Sequence, residues 1–194
     1  MRDEWVGTSE TDPLMVDFLP HDEVGRLGRL GMTFAPGMQA ESVRGRWERD
    51  LATDMRALEE EHEVNVLVSL MEDHEYRGYR IPELLEKDRT GSKEILRLAT
   101  GDMSVPQEAE SEMFEAFVQD VVQRLEQGQN VVAHCRGGLG RTGTVAACVL
   151  VALGHHSADE AIAAVGEARK GTVQTSEQED FVRIFEETVR ARED

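Results

Sequence analysis

The fold of this chain is decided by residues 130–142, which read NVVAHCRGGLGRT. An apolar run typical of a buried strand ends at His134 and Cys135, and three glycines follow within the next five residues. An Arg-Thr pair then leads into a long apolar stretch, for which we predict a helix beginning near Gly143. The pattern therefore predicts a strand, a tight loop and a helix, with a cysteine at the point where the strand ends.

The loop after this strand is predicted to bind an anion. Glycine lets a loop turn successive backbone N–H groups toward one centre, and the first turn of a helix adds unpaired amides and the positive end of its dipole. The same groups and the cation of Arg141 favour the thiolate form of Cys135, which is the nucleophilic form. We therefore predict that Cys135 attacks the phosphorus of a phosphate group held by the loop. The predicted substrate-binding residues are Arg136, Gly137, Gly138, Leu139, Gly140 and Arg141.

Three side chains of the stretch have separate predicted roles. Arg141 carries a planar guanidinium that holds two oxygens of a phosphoryl group into the transition state. We expect the hydroxyl of Thr142 to reach the sulfur of Cys135 and to stabilise it as a thiolate and as a leaving group. His134 is interpreted as a buried residue that fixes the loop, rather than as a proton carrier.

Residues 134–142 spell His-Cys-x5-Arg-Thr, which resembles the signature of cysteine-dependent protein tyrosine and dual-specificity phosphatases. The spelling of 137–141, Gly-Gly-Leu-Gly-Arg, and the string Tyr-Arg-x-Pro-x-Leu-Leu at 79–85 are most similar to the kinase-associated branch, also called cyclin-dependent kinase inhibitor 3-like. The resemblance extends over about residues 30–185. It implies a phosphomonoester hydrolase that needs no metal and no cofactor and acts through a phosphocysteine intermediate.

The resemblance also implies a general acid in a loop ahead of the signature, and Asp102 is the best match. Thr100 stands where some kinase-associated relatives carry their aspartate, so a shift of two residues stays open. Asp102 could also serve only as a loop-stabilising turn residue. Glu108 and Glu110 are interpreted as acids of a helix's first turn, and together with Asp73 they are the other candidates for the acid.

A glutamine pair follows the signature. The string Gln174-Thr175-x-x-Gln178 resembles the glutamine loop of the family, which implies that Gln174 positions the water that hydrolyses the phosphocysteine. Gln178 then supports the site. The alternative is that Gln178 is only the capping-box partner of Thr175, and that Gln174 is solvated.

Two features at the predicted rim of the site have alternative interpretations. Arg136 either adds positive charge that favours more anionic substrates or points into solvent. Residues 72–75 are interpreted as a loop that ends a strand, and a role at the substrate rim is the alternative.

The charge of the chain restricts its partners. The 194 residues include 21 Lys and Arg against 39 Asp and Glu, which gives a formal net charge of −18. Nucleic acid and anionic membranes are therefore excluded as expected partners, because both are polyanions. No apolar run is long enough to span a bilayer, and the N-terminus lacks a signal-peptide core, so we expect a cytoplasmic protein.

The remaining thiol and imidazole groups point to no metal site. Two cysteines make no disulfide framework, and Cys148 lies in an apolar stretch where a buried hydrophobic role is favoured over that of a resolving partner for Cys135. His155 and His156 are expected to interact with helix-end carbonyl groups.

Strand and helix patterns alternate along the chain. Predicted strands lie at 14–19, 30–34, 64–71, 94–99 and 131–133, and predicted helices at 42–61, 107–127, 157–170 and from 175 onward. This order predicts an α/β fold with a single open, mostly parallel sheet and helices on both faces, which is also the layout of the phosphatase family. Residues 1–20 are predicted to be a partly disordered N-terminal extension, and residues 21–194 the catalytic domain.

Two other classes of protein remain as alternatives. A rhodanese-like sulfurtransferase also uses a cysteine in an amide-rich loop, but it has no need of Asp102 or Gln174. A non-catalytic phosphate-binding module would release no phosphate. The expected partner is a phosphorylated protein or a small phosphomonoester, whereas the choice among phosphotyrosine, phosphoserine or phosphothreonine, a phosphoinositide and a metabolite stays open, as does the oligomeric state.

Overall fold

The computed structural model describes residues 5–42, 45–85, 94–106 and 111–193. The strands are β1 (Trp5–Gly7), β2 (Asp17–Phe18), β3 (Leu30–Thr33), β4 (Gln39–Ser42), β5 (Gly45–Glu48), β6 (Val66–Ser69), β7 (Glu94–Arg97) and β8 (Val131–His134). The α-helices are α1 (His21–Val24), α2 (Leu51–Glu60), α3 (Asp73–Gly78), α4 (Glu112–Glu126), α5 (Gly140–Ala152), α6 (Ala158–Ala168) and α7 (Ser176–Glu193), and a 3-10 helix spans Pro82–Leu85.

The main sheet has five strands in the order β2-β3-β8-β6-β7, with β8 in the middle. Strands β3, β8, β6 and β7 run parallel, and the short β2 is antiparallel at the edge. His134 at the end of β8 lies opposite Thr33 on one neighbour and Ser69 on the other. The loops after all three strands therefore leave the sheet at the same edge, which is where ligands bind in open α/β sheets.

Alternate residues of β8 enter two different cores, as expected for a strand buried on both faces. Val131 and Ala133 pack into a core with α4, α5, α6 and α7, whereas Val132 packs on the opposite face with residues of α2 and α3. The predicted α/β fold, with a mostly parallel sheet and helices on both faces, is confirmed.

A second, three-stranded sheet in the order β1-β5-β4 corrects the prediction for residues 42–61. Its strand β5 occupies the first half of the predicted helix, and α2 begins only at Leu51, where Asp50 caps it by accepting a hydrogen bond from Thr53 N at 2.8 Å. Trp47 decides the strand, because it packs edge-on against Trp5 at 4.8 Å and is stacked on Phe34 at 5.8 Å between ring centroids. Local helical periodicity is overridden by this aromatic packing.

The predicted N-terminal extension takes part in both sheets. Strand β1 pairs with β5 in the small sheet, and β2 pairs with β3 in the main sheet. The described part of residues 1–20 is therefore built into the fold through backbone pairing in both sheets.

A buried ion pair joins the small sheet to α2. The guanidinium of Arg49 donates two hydrogen bonds of 2.8 Å to Asp54, and both side chains are almost completely buried. Asp54 also accepts from the backbone N–H of Gly37 at 2.8 Å, and Arg49 donates to the carbonyl of Asp12 at 2.6 Å. Four segments of the chain therefore depend on one carboxylate.

We predict that Asp54→Ala lowers the free energy of unfolding by about 3–5 kcal/mol, because it leaves the Arg49 cation buried without a partner. Urea unfolding followed by circular dichroism measures the loss. Asp120→Ala is the control, because Asp120 pairs with Arg124 on the surface and should cost far less. Equal losses in the two variants would contradict the structural importance of the buried pair.

Candidate active site

Strand β8 delivers Cys135 to the bottom of a cleft of about 540 Å³. The nucleophile loop, residues 135–139, connects this strand to α5, which begins at Gly140 and not near Gly143 as predicted. Cys135 is 4% exposed. Arg141 lies in the first turn of α5, so its side chain starts beside the cleft. Residues of the cleft wall include Met38, Trp47, Asp102, Arg136 and Gln174.

The nucleophile loop packs directly on the end of β3. Gly138 has a φ of +67°, and a Cβ atom there would lie 2.1 Å from the carbonyl oxygen of Thr33. Arg136 O accepts a hydrogen bond from Ala35 N at 3.0 Å. Glycine is required at position 138 both for its left-handed conformation and for this close approach.

Arg169, at the end of α6, holds the nucleophile loop from outside. Its Nε donates to Gly138 O at 2.8 Å and its Nη2 to Gly137 O at 3.0 Å, while Nη1 pairs with Asp17. Two carbonyl groups of the loop are thereby directed toward a cation, away from the cleft. Sequence reasoning missed this residue, since a lone arginine 31 positions from its partner carries no local signal.

A bidentate pair with Glu75 fixes the side chain of Arg141. Nη1 donates to one carboxylate oxygen of Glu75 at 2.7 Å and Nη2 to the other at 2.9 Å, and both side chains are buried. Burial opposes ionisation of each group. The hydrogen bonds from Arg141 and from the backbone of Glu72 nevertheless lower the pKa of Glu75, and the bonds with Glu75, together with the nearby Cys135 and Asp102, raise the pKa of Arg141. The pair therefore stays charged.

The position of Glu75 corrects the interpretation of residues 72–75 as a strand-end loop. These residues form a capping box and the first turn of α3. The capping box holds Glu75 through a hydrogen bond of 2.9 Å from Glu72 N. Acidic residues directly after a parallel strand were the available signal, but helical spacing in so short an element is not visible in the sequence.

Arg141 also contacts the acid loop, residues 100–106. Nη1 donates to Thr100 O at 2.9 Å, and Nη2 donates to Asp102 Oδ1 at 3.0 Å. Nε is buried and has no hydrogen-bond partner among the described residues. This N–H is therefore the guanidinium donor that no group in the described part of the chain accepts.

Among the candidate acids, the structure brings Asp102 to the cleft. Its side chain is 55% exposed, whereas Thr100 is buried and donates its hydroxyl to Leu98 O at 3.2 Å. Asp73 pairs with Arg97 at 2.6 Å. Glu108 and Glu110 lie outside the described residues, so their positions add nothing to the comparison.

The side chains of both glutamines approach the start of α5 at Gly140. Gln174 Oε1 accepts from Gly140 N at 3.0 Å, at the edge of the cleft. Gln178 N donates to Thr175 Oγ1 at 3.2 Å, whereas the side-chain amide of Gln178 bonds to partners other than Thr175. The predicted capping box is therefore only half formed, and the side chain of Gln178 has other partners.

Thr142 and His134 are both buried below the loop. The Thr142 hydroxyl makes no hydrogen bond to any described residue, Cys135 included, so its predicted contact with the sulfur is not formed in this arrangement. His134 Nδ1 lies 3.2 Å from Cys135 O, and burial lowers the pKa of His134 to about 4. A neutral imidazole at physiological pH agrees with a role in fixing the loop.

Arg136 is exposed, as one prediction has it, but its guanidinium also makes contacts within the protein. The guanidinium lies 5.4 Å from the ring centroid of Tyr79 and donates to Glu41 O at 3.4 Å. Arg136 therefore links the nucleophile loop to the 79–85 string and to β4.

The other singled-out residues lie away from the cleft. Cys148 is fully buried in the core, and burial raises its pKa well above the usual value, which fits a hydrophobic role. His155 lies beside Arg26, and His156 beside Glu23, so the predicted contacts with helix-end carbonyls are not the ones formed. Within the described ranges, no helix is long and apolar enough to cross a membrane.

The class of protein that this fold and this site define is the cysteine-dependent phosphatase, since a thiol that shares a cleft with a glycine-rich loop and a buried guanidinium suits displacement at phosphorus. A family model described as "Tc-R-P: Polymorphic toxin system, DSP-PTPase phosphatase" matches residues 43–155. The chain therefore belongs to this family of dual-specificity phosphatases.

Relatives extend the likeness over nearly the whole chain. Cyclin-dependent kinase inhibitor 3 of Rattus norvegicus is 26% identical over 97% of this chain and 86% of its own length. A crystal structure of kinase associated phosphatase with its catalytic cysteine changed to serine has a TM-score of 0.80 at 24% identity, covering 92% of this chain and 97% of that one. PTPMT1 in complex with PI(5)P has a TM-score of 0.66 at 22% identity, covering 87% and 97%. The predicted resemblance to the kinase-associated branch is confirmed.

We predict that Gly138→Ala lowers the free energy of unfolding by about 1–3 kcal/mol. Alanine is strained in the left-handed conformation of residue 138, and its methyl group would also collide with the carbonyl oxygen of Thr33. Thermal unfolding measures the loss. Gly137→Ala is the matched control for stability, because a Cβ at that neighbouring position has no atom within 4 Å. A Gly138→Ala midpoint equal to that of Gly137→Ala would show that the loop adjusts freely.

Proposed function

We propose that the protein hydrolyses phosphomonoesters of phosphorylated proteins through a phosphocysteine on Cys135, with Asp102 as general acid and then base. The observation that carries the proposal is the placement of Arg141. Its side chain is locked by Glu75, its Nη2 faces Asp102, and its buried Nε is left for a phosphate oxygen. One guanidinium therefore contacts both the bound phosphate group and the proton donor.

In the first step the Cys135 thiolate attacks phosphorus, and the bond from phosphorus to the ester oxygen breaks as the sulfur–phosphorus bond forms. Asp102 gives its proton to the departing oxygen, which leaves as an alcohol or phenol. The amides of the nucleophile loop and Arg141 stabilise the charge of the equatorial oxygens. No residue in this step depends on a metal ion.

In the second step the oxygen of a water attacks phosphorus, the sulfur–phosphorus bond breaks to return the Cys135 thiolate, and inorganic phosphate is released, while Asp102, now ionised, accepts a proton from the water. Gln174 positions this water. In the structure its Oε1 accepts from Gly140 N at 3.0 Å, and the proposal requires Gln174 to give up this hydrogen bond before it holds the water. The Thr142 hydroxyl has no hydrogen-bond partner among the described residues, so it is available to stabilise the departing thiolate.

The family assignment favours a phosphatase over a sulfurtransferase. A phosphoinositide is the second substrate class, because PTPMT1 was solved in complex with PI(5)P. Phosphate release from phosphotyrosine, phosphoserine and phosphoinositide substrates, compared under one set of conditions, separates these classes. We place the reaction in the cytoplasm, where a reducing environment preserves a catalytic thiol.

We predict that Cys135→Ser abolishes turnover but retains binding of phosphate esters, because the loop does not ionise an alcohol whose pKa far exceeds that of a thiol. Phosphate release measures turnover, and calorimetry measures binding. Vanadate should inhibit the wild type, since it resembles the transition state, whereas chelators should have no effect. Phosphate release by Cys135→Ser at the wild-type rate would exclude the covalent mechanism, and none by the wild type would indicate a non-catalytic module.

We predict that Asp102→Asn separates substrates by their leaving groups. For phosphotyrosine, whose leaving oxygen has a pKa of about 10, kcat/KM should fall by about 10²- to 10⁴-fold, because that oxygen must be protonated as it departs. For an aryl phosphate with a much less basic leaving group the loss should be far smaller. Steady-state kinetics on both substrates makes the comparison, and equal losses would assign Asp102 to loop structure alone.

A further inference from the structure

The side chain of Gln178 joins two loops that the proposed mechanism uses in different steps. Gln178 Oε1 accepts from Gln174 N at 2.9 Å, and Gln178 Nε2 donates to Ser104 O at 3.1 Å. Ser104 belongs to the acid loop, two residues after Asp102, and Gln174 ends the glutamine loop, residues 171–174. The side chain is fully buried, so no water competes for either bond.

The partners of the amide determine its orientation. The reverse orientation would set its N–H against the N–H of Gln174 and its oxygen against the carbonyl of Ser104, and both bonds would be lost. An amide is therefore the side chain that this position needs, because it offers a donor at one end and an acceptor at the other.

The start of α5 closes the same junction from a third side. A Cβ at Gly140 would lie 2.8 Å from Gln174 Oε1 and 2.8 and 2.9 Å from the amide atoms of Gln178. A side chain at position 140 would therefore displace the amide groups of both glutamines, whereas the backbone conformation of Gly140 does not itself call for glycine. The amide of Gln178 is pressed between the nucleophile's helix, the acid loop and the glutamine loop.

Both loops are strained beside the residues that the mechanism uses. Met103, next to Asp102, has a φ of 58°, and Val173, next to Gln174, has a φ of 52°. Such a left-handed conformation is unfavourable for any residue other than glycine and most of all for a β-branched one. These conformations persist only where surrounding contacts hold them, and the bonds of Gln178 are such contacts.

We propose that Gln178 is a positioning residue that holds the acid loop and the glutamine loop at a fixed separation, so that one buried amide controls both formation and hydrolysis of the phosphocysteine. This proposal rests on the proposed roles of Asp102 and Gln174. A helix cap would act on stability alone. Gln178 acts on the placement of a proton donor in one step and of a water in the other.

The test is Gln178→Met, which keeps the length of the side chain and removes both hydrogen bonds. With a series of aryl phosphates, kcat/KM should fall by about 10- to 100-fold for the most basic leaving groups and by less than about 3-fold for the least basic. Rapid mixing should reveal a burst of leaving group, because hydrolysis of the phosphocysteine also slows, by about 10-fold. Adding Asp102→Asn should then cost less than it does in the wild type.

Thr175→Val is the matched control. It removes the acceptor of Gln178 N at the start of the same helix and leaves the amide of Gln178 in place. We expect a loss of stability comparable to that of Gln178→Met, with leaving-group dependence and burst unchanged. If Thr175→Val reproduces both kinetic changes, or if Gln178→Met produces neither, the proposal is overturned.

Gln178→Glu provides a second variant if Gln178→Met does not fold. At a pH high enough to ionise the buried carboxyl group, the variant keeps an acceptor for Gln174 N and loses the donor to Ser104 O, so leaving-group dependence should steepen while the burst changes little. Wild-type dependence in this variant contradicts the proposal. The single variants Asp102→Asn and Gln174→Ala distinguish failure of this proposal from failure of the proposed function. If neither single variant changes formation or hydrolysis of the phosphocysteine, the roles proposed for Asp102 and Gln174 are wrong, whatever Gln178 does.

Discussion

The buried pair between Arg141 and Glu75 is the interaction on which the site depends. An arginine side chain in the first turn of a helix has many rotamers, and the fixed carboxylate of Glu75 selects one of them for Arg141. Glu75 is itself held by the capping box of α3, directly after the end of β6. The parallel sheet, a short helix and the nucleophile's helix thus combine to orient one side chain. Through its contacts with Thr100 and Asp102, the same side chain holds the acid loop over the cleft.

The central part of this arrangement could be predicted from the sequence because its determinants are contiguous. Strand, nucleophile, glycines and arginine lie within residues 130–142, and a short, continuous apolar run indicates a strand that is buried on both faces of a parallel sheet. Asp102 and Gln174 could be found only through the resemblance to a known family, since neither has a local pattern that distinguishes it from a solvated loop residue. Their positions in the cleft agree with that resemblance.

Other parts could not be predicted, because their causes are distant in sequence. Arg169 and Gln178 hydrogen-bond to backbone groups, which every residue has. The identity of the partner residue therefore gives no signal for either contact. The small sheet depends on the contact between Trp5 and Trp47, more than 40 positions apart. In that segment, tertiary packing outweighs the helical periodicity of the local sequence.

The neutralisation of Arg141 by Glu75 has a consequence for how the protein meets its substrate. Because the guanidinium is compensated by a buried carboxylate and the chain has a net charge of −18, we expect the long-range field of the protein to repel a dianion. Attraction begins only at contact, where amide dipoles and the free Nε act over a few ångströms. The rate of association with the substrate is then low at low ionic strength and rises with added salt, because salt screens charges beyond about 8 Å at physiological concentration. Selectivity of this kind is decided by fit after collision, and free polyanions in the surroundings are not drawn into the site.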